Sequence, residues 1–306
     1  RDFRSRNKNI YSTALVFMMR EVQEKQAWLK ELYQTENEQS LKFIGKFNQT
    51  VSSKIIAEDI RKTLRINSKE AQKDPLKYWI EKSENNRIFI SQSSFYHTRL
   101  KLDVEEVKGF AIADSLVPFI FINSSDYKSS RLFTLVHELA HLWIKASGIS
   151  SDIGIDFRDV STYDPIEIFC NDIAACALMP ENEMYEIVNA SEDITYSIIE
   201  EVSLRFGVSN YAAIMRFLKL GKISIQQFEI FKKEASSKYF QYLELDAEKI
   251  KTGFPNPYLL KLKRNGKMFA QIIFNFYKGG RISGSEASTL LNTKINHFPK
   301  FEQYVY

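Results

Sequence analysis

The sequence has few cysteines and no long hydrophobic run. The first argues against a disulfide-bonded protein, and the second against a protein that spans a membrane. Cys170 and Cys176 are its only cysteines, so nothing suggests a disulfide framework, and we expect a reducing cytoplasm. The longest apolar runs, such as Phe119 to Ile122, are far too short to cross a bilayer, and no apolar leader is recognisable. The sequence therefore predicts a cytoplasmic protein that does not bind membranes.

The sequence also lacks a strong excess of charge. The net charge is +4 over 306 residues, which gives no general argument for a nucleic acid or a membrane as partner. Hydrophobic residues make up 44% and aromatic residues 13% of the chain, enough for one large core or for two or three smaller domains. The first residue is Arg1 rather than Met, and we expect the sequence to continue upstream in a longer protein.

Histidine is scarce as well, yet two of the four histidines share one motif. His137 and His141 stand one helical turn apart, in a segment whose apolar residues recur at helical spacing, so both imidazoles can reach one metal ion. Glu138 lies about 100° further round the helix, well placed to take a proton from a water at the metal. The motif predicts a zinc site with Glu138 as general base. The alternative is that the histidines only fill hydrogen bonds inside a buried helix.

A second helix is predicted between Pro165 and Pro180, and its interior is almost entirely apolar. Glu167 is a carboxylate near its start, and burying an unpaired charge is costly, so we expect Glu167 to be the third zinc ligand. Two histidines and a glutamate leave a fourth position for water, as in catalytic zinc sites. In the alternative, Glu167 is a surface residue that the helix dipole favours.

Other side chains near Glu167 complete this prediction. Asp164 and Asp172 are the competing carboxylate ligands, and Cys170 is a further candidate, although buried cysteines usually only pack. Asn171 lies four residues after Glu167 and faces the same way. We expect Asn171 to accept a hydrogen bond from the far nitrogen of a ligand histidine and so to fix its tautomer.

Three short β-type runs between Arg87 and Asn123 predict a small antiparallel sheet before the zinc helix. Peptidases with this zinc motif commonly hold the substrate as an added strand on a sheet edge, through main-chain hydrogen bonds. We expect Gly109, Phe110 and Ala111 to form that edge and to bind the substrate. An ordinary core hairpin is the alternative.

The composition predicts three parts: a helical segment over residues 1–85, a metal-binding domain over 86–236 and a basic C-terminal helical module over 237–306. From Lys249 onward there are ten basic residues against two acidic ones, with aromatic residues between them. Such a module suits a nucleic-acid or acidic-protein surface, or it is a solvated basic face over an aromatic core. Residues 205–218 have a helix-turn-helix pattern, which more often packs a core than reads DNA.

Together these motifs resemble the ImmA/IrrE metallopeptidases. The resemblance covers roughly residues 87–233 and rests on VKGFAIAD from Val107, PFIFIN from Pro118, RLFTLVHELAHL from Arg131 and EIFCNDIAACALMP from Glu167. In that family the two motif histidines and the glutamate that opens the last run hold zinc, and the motif glutamate is the general base. The resemblance implies these roles for His137, His141, Glu167 and Glu138.

The expected fold is α+β and predominantly helical, with a zincin-like metallopeptidase core, a small antiparallel sheet and helical segments on both sides. The resemblance implies a zinc endopeptidase that cleaves a specific regulatory protein, such as a bacterial transcriptional repressor. It also predicts a DNA-binding helix-turn-helix domain upstream of this sequence. In the alternative, the zinc domain is a sensor or docking platform of a DNA-binding regulator, with little proteolysis.

Overall fold

A computed structural model describes residues 11–97, 100–145, 148–150, 165–189, 193–248 and 256–306. The helices in these ranges are α1 (Thr13–Thr35), α2 (Ser53–Leu64), α3 (Ser68–Ala71), α4 (Pro75–Glu84), α5 (Lys128–Ile144), α6 (Pro165–Leu178), α7 (Glu181–Asn189), α8 (Tyr196–Phe206), α9 (Asn210–Lys219), α10 (Ile225–Glu248), α11 (Pro257–Asn265), α12 (Lys267–Lys278), α13 (Gly284–Leu290) and α14 (Phe298–Val305). The strands are β1 (Phe89–Ser93), β2 (Phe95–His97), β3 (Leu100–Lys101), β4 (Gly109–Ile112), β5 (Phe119–Asn123) and β6 (Gly148–Ser150). A 3-10 turn, Ile295–His297, precedes α14. The predicted α+β, predominantly helical fold is confirmed.

Four of the strands form one sheet in the spatial order β1-β5-β4-β6. β1 pairs with β5 in parallel, with Phe89 opposite Phe119, whereas β4 pairs antiparallel with β5 on one side and with β6 on the other. The sheet is therefore mixed, and the prediction of an antiparallel sheet is wrong for its first strand. The reason is that β1 does not pair with β4, the strand of this sheet that follows it in the chain. The small β2-β3 hairpin lies between them in sequence, and β5 takes the position between them in space.

Alternate side chains of β5 face opposite sides of the sheet, as the period of a strand requires. Ile120 and Ile122 belong to one buried cluster, which includes the apolar residues of α5 and which we call the inner core. Phe119 and Phe121 belong to a second buried cluster, which we call the outer core. A strand buried on both faces shows no polar alternation, which explains the unbroken apolar run of this strand.

The outer core joins both ends of the described chain. The helices α1, α12 and α14 contribute fully buried side chains to it, among them Leu15, Phe269 and Phe301. Between α11 and α1, Nε of Arg264 donates a hydrogen bond of 3.0 Å to Oε1 of Glu21. The division into three segments stays a prediction, but the helices at both ends are packed on the phenylalanine face of the central sheet.

The helix pair α8 and α9, which carries the helix-turn-helix pattern, packs into the inner core. Val202 and Phe217 are fully buried there. Gly207 joins the two helices with φ of +69°, and a Cβ at this position would meet Cγ of Pro75 at 2.6 Å, so the turn needs glycine both for its backbone angle and for space. This packing accounts for the helix-turn-helix pattern.

None of the helices in the described ranges is long and apolar enough to cross a membrane.

Candidate metal centre

α5 carries both histidines of the motif and is buried along most of its length, because it lies between the sheet and α6. A helix on the surface would bury only one face, whereas every residue from Leu132 to Trp143 is buried here. The exposed fractions of His137, Glu138 and His141 are 0%, 0% and 2%. Polar side chains buried this deeply need partners, and α6 supplies them to the histidines.

Three donor groups converge where α5 meets α6. Nε2 of His137 lies 3.0 Å from Oε2 of Glu167, and Nε2 of His141 lies 3.3 Å from Oε1 of the same carboxylate. The two Nε2 atoms are 3.0 Å apart. The fold therefore brings together the three residues that the sequence predicts as ligands, with one ligand atom of each within 4.8 Å of the others.

The chemistry of this donor set fits a divalent metal ion. A neutral imidazole nitrogen is either a donor or an acceptor, so two Nε2 atoms that face each other at 3.0 Å repel unless a proton or a cation lies between them. Two imidazole nitrogens and one carboxylate are a ligand set of catalytic zinc sites, in which a fourth position stays open. The side chain of Glu167 is 31% exposed, so solvent reaches the group from α6.

Asn171 lies where the prediction requires it. Its Oδ1 is 2.9 Å from Nδ1 of His137 and accepts a hydrogen bond if that nitrogen carries the proton. The lone pair of Nε2 is then free to point at the donor group, as in sites where an outer residue fixes the histidine tautomer. Glu167 and Asn171 are one turn apart on α6, so a single helix supplies both the carboxylate and the residue that orients the imidazole.

The electrostatics of the group favour a bound cation. Burial raises the pKa of Glu167, but hydrogen bonds to His137 and His141 outweigh burial and lower that pKa to about 2. Burial also lowers the pKa of His141, but hydrogen bonds to Cys170 and Glu167, with the charge of Glu138, raise it to about 11. Without a metal ion, His141 is therefore protonated and lies beside the ionised carboxylate of Glu167. Surroundings that favour a proton at this point also favour a metal cation, which would displace it.

Glu138 stands apart from the three donor groups, with its carboxylate against β4. A Cβ on Gly109 would lie 3.2 Å from Oε1 of Glu138, 2.6 Å from Cγ2 of Thr134 and 2.8 Å from the carbonyl oxygen of Phe121. Only glycine allows the strand to approach α5 so closely. Neither this role of Gly109 nor the contact with Thr134 was predicted from the sequence, although a glycine inside a strand signals a close backbone approach.

The predicted substrate-binding edge needs correction. Gly109, Phe110 and Ala111 lie inside the sheet, because β6 pairs with all three on the side away from β5. The side chain of Phe110 is buried in the outer core and that of Ala111 in the inner core. The prediction failed because β6 follows α5 in the chain, and its three residues carry no recognisable strand pattern. Among the described strands, β6 forms the edge on this side.

The competing ligand candidates fare differently. Asp172 forms an ion pair with Lys219 of α9 and does not join the donor group, while Asp164 lies outside the described residues. Cys170 is fully buried, and its thiol is among the groups that raise the pKa of His141. The sequence left Cys170 open as a further ligand candidate, and Cys170 is not among the three groups that converge in the described part of the chain.

The comparison with known families bears on the same segment. Residues 94–218 match a peptidase family described as IrrE N-terminal-like domain. Residues 94–218 are therefore similar to a peptidase domain of the ImmA/IrrE type. All three donor groups of the IrrE-like domain, together with Glu138 and Asn171, fall inside the matched residues, whereas α1 and the helices from α11 onward lie outside them. No curated protein matches the chain.

Proposed function

We propose that this protein is a zinc-dependent endopeptidase. The observation that carries the proposal is the convergence of His137, His141 and Glu167 on one point, inside a domain that matches a peptidase family. His137 and His141 supply the nitrogen ligands, and Glu167 supplies the carboxylate. A zinc ion held there would supply a Lewis acid that activates water and polarises the scissile carbonyl.

Two further residues around this point have roles in the proposed reaction. Glu138 is the general base: it takes the proton of the attacking water and passes it to the leaving amine. Its complete burial keeps the carboxylate close to β4 and out of bulk water, so it is held at one place rather than sampling solvent. Asn171 holds the imidazole of His137 in the tautomer and orientation that ligation requires.

The substrate in this proposal is a specific regulatory protein, such as a transcriptional repressor, in a bacterial cytoplasm. Support comes from the ImmA/IrrE resemblance, since members of that family cleave such regulators. One further feature agrees with a reducing compartment: Cys170 and Cys176 are both free thiols.

The test is to incubate the purified full chain with the proteins encoded by neighbouring genes, with zinc and with a chelator. We expect one neighbour to be cut at one position, and we expect the chelator to abolish the cut. If the protein binds stoichiometric zinc and captures a neighbour without cutting it, the endopeptidase proposal is wrong. The zinc domain is then a sensor or docking platform of a regulator.

A further inference from the structure

The C-terminal end of the chain presents a surface that is unrelated to the metal centre. Lys294, His297, Lys300 and Tyr304 follow one another at intervals of three or four residues along the 3-10 turn and α14. Residues at such intervals lie on one face of a helical segment. All four are exposed, and we call this face the C-terminal stripe.

The aromatic part of the C-terminal stripe is held in a fixed orientation by α11. The ring of Tyr258 stacks on Tyr304 with centroids 5.6 Å apart and planes at 16°. The hydroxyl of Tyr258 is 3.0 Å from Nδ1 of His297, and Nδ2 of Asn256 donates a hydrogen bond of 2.8 Å to the hydroxyl of Tyr304. Because Tyr304 remains 36% exposed, it offers an ordered aromatic surface to a ligand.

The charge around the stripe has one sign. Residues 256–306 contain two carboxylates, and both are engaged elsewhere: Glu302 pairs with Lys278, and Glu286 accepts a hydrogen bond of 3.1 Å from Nε1 of Trp28. None of the ion pairs among the described residues uses Lys294 or Lys300. These two amines are therefore available to an anionic ligand.

A third amine lies beside the stripe. Nζ of Lys261 donates a hydrogen bond of 3.2 Å to Oγ1 of Thr293, the neighbour of Lys294 in sequence. Burial lowers the pKa of Lys261, and no carboxylate contributes to that shift. The positive charge at this end of the stripe thus comes from α11 as well as from the segment that begins at Lys294.

We propose that the C-terminal stripe binds single-stranded nucleic acid. Lys294 is the extended N-cap of the 3-10 turn, and Lys300 lies in α14, on the order of 10 Å further along the segment. The two lysines therefore engage different phosphates, while an unstacked base packs on the ring of Tyr304. Ordered aromatic rings beside a row of amines are the arrangement by which proteins hold single strands without reading sequence. An acidic peptide would use the lysines but would gain little from the stacked tyrosines, so the observations favour the nucleic acid.

The experiment is fluorescence anisotropy of a labelled 12-nucleotide oligo-dT or oligo-U with the full chain, over a range of salt concentrations. We expect binding that weakens with salt, because amines that contact phosphates release bound counterions, with a slope of about −0.7 per contact. Replacing both Lys294 and Lys300 by alanine should make that slope shallower by about 1.4. Tyr304→Ala should weaken binding roughly 5- to 100-fold with little change in slope, whereas Tyr304→Phe, which keeps the ring, should bind nearly as wild type.

A double variant of equal charge serves as control. Lys69 of α3 and Lys77 of α4 are exposed lysines, and replacing both by alanine should leave oligonucleotide binding unchanged. The proposal is overturned if the oligonucleotides do not bind at low salt, or if the control pair weakens binding as much as Lys294 and Lys300 do. It is also overturned if a polyglutamate peptide binds the stripe and the oligonucleotides do not, since the surface would then serve an acidic protein segment.

Discussion

Gly109 of β4 leaves no room for a side chain beside Glu138 of α5, because a Cβ there would stand 3.2 Å from Oε1 of the carboxylate. The same Cβ would come within 2.6 Å of Thr134 and 2.8 Å of the backbone of Phe121. Real Cβ atoms do not make contacts of this kind with backbone, so something must move. The position of Glu138, the proposed general base, therefore depends on the presence of a glycine at position 109 of the neighbouring strand β4.

Gly109→Ala should consequently separate β4 from α5 and displace Glu138. We expect a loss of about 1 to 3 kcal/mol in the free energy of unfolding, the usual cost of overpacking a core, and a fall in kcat for substrate cleavage. Zinc content should stay near one per chain, because the three ligands do not contact Gly109. Urea denaturation and metal analysis measure both effects.

Gly284→Ala is the control, since its closest contact is the flexible tip of Ile295 at 3.2 Å. Unchanged stability and kcat in Gly109→Ala would contradict the close approach.

Glu167→Ala should lower zinc affinity strongly, because it removes the only carboxylate of the described donor group. Asp172→Ala is a matched control on the same helix: it removes a carboxylate that pairs with Lys219 and should leave the zinc content unchanged. Metal stoichiometry after dialysis against a weak chelator distinguishes the two. Loss of zinc from the Asp172 variant, with full occupancy in the Glu167 variant, would assign the ligand to Asp172.

Glu138→Gln should abolish hydrolysis while leaving binding intact. Glutamine keeps the size of the side chain but cannot accept the proton, so we expect cleavage to fall by about two to four orders of magnitude. Zinc content and thermal stability should remain near those of wild type, and the variant should retain its protein substrate in a pull-down. If this variant gives the full biological output of the wild type in a complementation assay, hydrolysis is not how the protein acts.

Glu84 should make stability depend on pH. Burial raises the pKa of this carboxyl from its usual 4.5 to about 7 in the folded protein, although hydrogen bonds from the backbone of Met268 and Lys267 oppose the shift. Between these two values the folded state binds the proton more tightly than the unfolded state does. The contribution of Glu84 to stability is therefore fully present below pH 4.5 and is lost as pH rises toward 7.

The measurement is urea denaturation of wild type and Glu84→Gln at pH 5 and pH 8. From the size of the shift we expect wild type to lose about 2 to 3 kcal/mol more than the variant between these values. The comparison with the variant removes the contributions of other groups. Parallel pH profiles for the two proteins would show that Glu84 titrates as an exposed carboxyl.

Local patterns in the sequence were enough to predict which side chains come together at the candidate metal centre, whereas the pairing of distant strands could not be predicted. His137, His141 and Asn171 could be placed because helical spacing alone decides which side chains share a face, and the lone carboxylate of Glu167 stood out in an apolar helix. The sheet could not be predicted to the same degree, since strand order depends on contacts between distant segments. β6 follows α5 and consists of three residues, so nothing before it in the chain indicates that Gly109 will be covered.

The alternation of phenylalanine and isoleucine along β5 has a consequence for the order in which this protein matures during translation. Phe119 and Phe121 leave the ribosome long before α12 and α14, which cover them. At about 5 to 20 residues per second the delay is on the order of ten seconds. We therefore expect nascent chains to expose this aromatic face, and to need chaperone protection, until these two helices have emerged and packed on it.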